Sequence, residues 1–79
     1  MTLDQLGRGK RGTITQIDWT CFDPSEGKRL RALGIDCGAR VAVAHRGVFG
    51  GRDPVAVMVG RMTVAVRRAH ALAMQIDPI

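Results

Sequence analysis

The residue types best suited to chemistry in this chain are Cys21, Asp23, Cys37, His45 and His70, each able to donate to a transition metal. Their spacing argues against that use. A structural zinc site brings paired ligands close in sequence, whereas the two cysteines lie sixteen positions apart and form no C-x-x-C. The expectation is therefore no metal and no cofactor, with buried or neutral thiols and histidines on the surface or on strand faces. Gly7, Gly9 and Gly12 spell G-x-G-x-x-G around Lys10, which invites a phosphate-binding reading. A dinucleotide fingerprint needs a strand before it and a helix after it, so that free amide groups meet the pyrophosphate. Here the glycines lead into Thr13-Ile14-Thr15-Gln16-Ile17, a β-branched run. No nucleotide site is expected. Nor do a nucleophile, a base and an orienting acid come together in the sequence, so no catalytic residues are assigned.

What remains is charge. Twelve Lys and Arg against seven Asp and Glu give a net charge of +5, which suits an acidic protein surface, nucleic acid or anionic lipid without choosing among them. Lys28 and Arg31, with Arg46, Phe49 and Arg52 around a long loop, are the candidate partner-binding residues: a cationic patch with one apolar anchor. The competing account is a solvated basic face. The four methionines, Met1, Met58, Met62 and Met74, are expected to be a start residue and core filler.

The elements that must position these residues follow from local signals. At 79 residues the chain is expected to be one domain, 1–79, too small for the large cleft most enzymes use. Its core is expected to be small and aliphatic, since Trp19, Phe22 and Phe49 are its aromatics. Leu3 and Leu6 precede the glycine stretch, and Thr13 to Ile17 predicts a first strand. Ile14 and Ile17 break strict two-residue alternation, which predicts a bulge or burial on both sides. Asp23 can cap a helix, Pro24 fits its first position and Glu26 stands where a capping box wants it. Leu30 and Leu33 share one face, Lys28 and Arg31 point away, and Gly34 can end the helix after about ten residues, with Ile35 folding back on Leu30. Asp36-Cys37-Gly38-Ala39 predicts a tight turn with glycine at its third position.

Beyond that turn, Val41, Val43 and His45 alternate with polar or small residues as in a strand with one buried face. A glycine-rich connection, 47–54, leads to Val55, Val57 and Val59, a two-residue hairpin at Gly60-Arg61, and a fourth strand from Met62 to Val66. Arg67 to Ala73 suits one or two helical turns before Met74-Gln75-Ile76. The predicted fold is mainly β: a small five-stranded barrel, closed to remove its edges, with one helix between strands one and two. No apolar run approaches the ~20 residues that span a bilayer, and no signal peptide is seen, so a cytosolic chain with reduced thiols is expected.

Taken in order, L-x-x-L (Leu3, Leu6), then R-L-x-x-L-G-I-x-x-G-A-x-V-x-V (Arg29 to Val43), then D-P-V-x-V-x-V-G (Asp53 to Gly60) and A-V-R-R-x-x-A (Ala65 to Ala71) resemble the FeoA family. The resemblance covers nearly the whole chain. It implies a small cytosolic SH3-like domain that accompanies the bacterial ferrous-iron transporter FeoB and binds its cytosolic GTP-binding domain or loops. The chain departs from the family pattern at Cys37, where proline is usual, at Val66, where leucine is usual, and at His70, where an acidic residue is common. The alternative is a small basic barrel that binds nucleic acid or serves as a regulator-type domain. Single-strand binders of that shape stack bases on several exposed aromatics, a poor match to three scattered rings. Proline-rich peptide recognition needs an aromatic-lined groove, and the chain has no tyrosine.

Overall fold

The computed structural model describes residues 1–46 and 54–79, with the backbone alone at His45 and Arg46. A 3₁₀ turn, Leu3–Gln5, precedes strand β1 (Arg11–Ile17), and a second such turn, Trp19–Cys21, leads into helix α1 (Pro24–Ala32). Strands β2 (Arg40–Arg46), β3 (Val55–Val59) and β4 (Met62–Val66), the one-turn helix α2 (Arg68–Ala71) and strand β5 (Met74–Pro78) complete the order.

Helix α1 stops where its sequence says it should. Gly34 sits at φ +98, its amide donates to the Arg31 carbonyl at 3.0 Å, and the Ile35 amide donates back to the Leu30 carbonyl at 2.9 Å. This pair of bonds is the Schellman closure, and it brings Ile35 against Leu30, both fully buried. At its start the helix departs from expectation. The Asp23 side chain makes no capping bond, and Glu26 turns to Arg29 at 2.8 Å instead of closing a capping box.

Both predicted turns are present. Gly38 has φ +88 with the Ala39 amide donating to Asp36, and Gly60 has φ +61 between Val59 and its partner Met62. The predicted bulge in β1 is also found: its pairing with β5 slips between Ile14 and Gln16, leaving Thr15 extra and returning Ile17 to the core. A second slip lies in β2 between Val43 and His45, where the sequence predicts unbroken alternation. It ends the simple alternation at Val43 and pairs His45 with Ala56 and Arg46 with Val55.

The sheet order is β4-β3-β2-β1-β5, all antiparallel, so β4 and β5 lie at its two ends. The mainly β architecture is as expected, but the ring of hydrogen bonds is not closed among the described residues. The N-terminal segment occupies the outer side of β5: the Ile76 amide donates to the Met1 carbonyl at 2.7 Å, and Thr2 bridges Gln75. Covering an edge with a neighbouring segment removes the same liability that closure would.

The interior is aliphatic, as predicted. Leu3, Ile14, Leu30, Ile35, Val43, Val55, Val57, Val66 and Met74 are fully buried, and burying each such side chain is worth roughly 1.5–3 kcal/mol. Met74 alone of the methionines is filler; Met1, Met58 and Met62 are 50%, 44% and 46% exposed, which corrects the expectation for Met58 and Met62.

Candidate docking surface

Lys28 and Arg31 stand one turn apart on the exposed side of α1, as the helical period requires. Arg31 has an aromatic partner that helical period alone does not indicate. Trp19, in the turn before the helix, lies under Arg31, whose guanidinium carbon is 4.1 Å from the ring centroid. A cation held over an indole is attracted by the ring quadrupole and loses rotamer freedom, so Arg31 is presented rather than splayed.

Trp19 is itself fixed from behind. Its ring meets Phe22 at 5.2 Å between centroids and 52° between planes, and Phe22 stacks on His70 of α2 at 4.3 Å and 28°. Gly27 makes room for this row: a Cβ there would stand 3.3 Å from the Trp19 ring. Trp19, Phe22, Asp23, Pro24, Gly27, Lys28 and Arg31 together line a shallow groove. Chemically it offers one aromatic face and two cations, with the Asp23 carboxylate at one end. It can receive a carboxylate flanked by an apolar side chain.

Of the other sequence-predicted members, Arg46 is placed only by its backbone, at the end of β2 opposite Val55. Phe49 and Arg52 lie outside the described residues. The five are therefore not shown together; Lys28 and Arg31 are.

Among the described residues no three of His, Cys, Asp and Glu gather where an ion could be held. Cys21 and Cys37 are free thiols and exposed, so of the two expected states, buried or neutral, burial does not apply. The Cys21 thiol donates to Asp18 at 3.6 Å, and its pKa is pushed up, by desolvation first and by the Asp18 charge second. It is a protonated thiol at neutral pH. His70 keeps Nδ1 shielded and without a hydrogen bond among the described residues.

Glu26 has its pKa held below its ordinary 4.5, chiefly by the hydrogen bond from Arg29. A lowered carboxylate pKa stabilises the fold above the unfolded-state value, and that contribution is lost as pH falls through the folded-state value. The pair is largely solvated, so its whole worth is below about 1 kcal/mol. Glu26→Gln should change the melting temperature at pH 7 by no more than a few degrees, with the difference vanishing in acid; an equal difference at pH 3 would contradict the pairing.

The FeoA domain model matches residues 1–78 of the chain. Among solved structures, the FeoA protein of Chlorobium tepidum is 28% identical with a TM-score of 0.84, the match covering 100% of this chain and 70% of that one. Stenotrophomonas maltophilia FeoA complexed with zinc, a prokaryotic SH3 domain protein, is 28% identical with a TM-score of 0.78 over 98% of this chain and 89% of that one. A manganese-dependent transcriptional repressor, 23% identical with a TM-score of 0.80, shares the fold across 41% of its own length. No curated protein matches the sequence. The SH3-like architecture and the match along almost every residue agree: the chain belongs to the FeoA family.

Proposed function

We propose that this protein is a non-enzymatic cytosolic accessory of bacterial ferrous iron uptake, docking on the cytosolic part of a FeoB-type transporter and adjusting its activity or assembly. Family membership supports the role in ferrous iron transport. The observation that carries the docking site is the guanidinium of Arg31 held over Trp19 beside Lys28. Buried or half-buried aromatics paired with arginine are the residues that dominate binding energy at protein interfaces. Arg46, Phe49 and Arg52 are proposed to extend the same surface.

Docking of this kind shifts the transporter between its own states only as far as contacts differ between them. The experiment is titration of the purified transporter's GTP-binding domain with the wild-type chain and with Lys28→Ser/Arg31→Ser. Affinity should fall at least about tenfold, while the melting curve stays in place. Binding by the wild type with equal affinity in the variant would remove the site; no binding by the wild type would remove the partner.

A further inference from the structure

A second surface lies on a different element and is not used by that reading. The outer side of the sheet carries a shallow depression lined by Arg11, Arg40, Ala42, Met58, Gly60 and Ile79. Register explains the grouping: Arg11 pairs with Ala42, Ala42 with Met58 and Met58 with Thr63, so one cross-strand row runs from a cation through a small residue to an exposed thioether. Arg40 opposes Thr13 in the next row, and Arg61 follows Gly60 in the hairpin. Arg8 and Lys10 sit in the loop entering β1, where the Gly9 amide and the Lys10 carbonyl bond to Val43.

Arg11 and Arg40 line the depression; they and Arg8, Lys10 and Arg61 in the adjoining loops are exposed, and the ion pairs among the described residues, Arg29 with Glu26 and Arg68 with Asp4, involve none of them. Asp77 lies opposite Thr13 in the same cross-strand row as Arg40, and Asp36 stands in the turn before β2.

We propose that this face docks on an anionic lipid surface. Arginines around an uncharged strip, with Met58 at its centre, match the headgroup layer in both respects: guanidinium groups meet phosphates, and the thioether enters the boundary beneath. A nucleic-acid partner fits less well, because no aromatic ring among the described residues lies on this face to stack a base, whereas the exposed methionine has no role there.

Co-sedimentation of the intact chain with vesicles tests the proposal. The protein should partition onto phosphatidylglycerol–phosphatidylethanolamine vesicles and not onto phosphatidylcholine alone, the binding weakening as salt rises. Arg11→Gln/Arg40→Gln should cut partitioning about tenfold with an unchanged melting curve. Met58→Ser should cut it severalfold and leave the salt dependence as it was, and Lys28→Ser/Arg31→Ser should have no effect, which separates this face from the helix groove. Equal partitioning onto both vesicle types, equal loss from the helix pair, or tighter binding of a single-stranded oligonucleotide through Arg11 and Arg40 would each overturn the assignment. Should the double variant lose its fold, Arg11→Gln and Arg40→Gln singly, each expected to lose severalfold, carry the same test.

Discussion

Replacing Leu30 with alanine is expected to lower the melting temperature by about 10 °C or more, and to leave a large unfolded fraction at 37 °C. Leu30 is wholly buried, on the one face of α1 that meets the sheet, and Ile35 is brought against it by the helix stop. Truncation to alanine removes both the transfer energy of the lost carbons and the contacts lining the resulting cavity, about 2–5 kcal/mol together. A core in a chain of this size leaves only about 3–5 kcal/mol of net stability, so that loss is comparable to the whole. Leu33 is half-buried at the helix end, and Leu33→Ala should cost clearly less. Thermal melts by circular dichroism decide the matter: a drop under about 3 °C for Leu30→Ala would mean that α1 is not seated on the core as described.

Helix α1 was legible because everything that sets it is local. Pro24 opens it, Leu30 and Gly34 close it, and each acts within a few residues of itself. The β1 bulge was legible for the same reason, since two buried isoleucines three apart cannot both face inward on a regular strand. Strand neighbours are another matter. That β5 lies beside β1, with Met1 and Thr2 along its outer side, depends on segments some sixty to seventy-five residues apart whose patterns suit several pairings equally. The slip at Ala44 has no sequence signature, because Val41, Val43 and His45 alternate perfectly by type, and residue type does not record which partner residue sits opposite.

The candidate site shows the same division. Lys28 and Arg31 followed from helical period, but their aromatic support came from Trp19 and, through Phe22, from His70. One signal for it was present in the sequence. A glycine in the middle of a nine-residue helix costs about 1 kcal/mol against alanine, and a position that keeps it does so for a close approach. Gly27 faces the Trp19 ring, so the expense in helix propensity is offset by the contact that holds the indole under Arg31. The departure at His70 has a physical use in the same row, since a flat imidazole can stack on Phe22 where a carboxylate could not.

Gly12→Ala is expected to destabilise the fold by about 1–3 kcal/mol, and the loss should be largely recovered when Ile76 is changed to leucine in the same chain. Gly12 is the point where β1 runs between Val41 of β2 and Pro78 of β5, and a Cβ placed on it collides with Ile76 Cγ2 and comes within 3.2 Å of the Asp77 carbonyl. Ile76 is buried and β-branched, so its methyl cannot rotate away without entering another packed position. Leucine keeps the volume but moves the branch one carbon outward, which by itself should cost less than about 1.5 kcal/mol. The two changes share one contact, so their effects should not add. Urea denaturation of the two single variants and the double variant gives the coupling: the double should be more stable than the sum of the singles implies by about 1 kcal/mol or more. Additivity within about 0.5 kcal/mol would show that the close approach between β1 and β5 is not where Gly12 acts, and with it the register of that strand pair would fall.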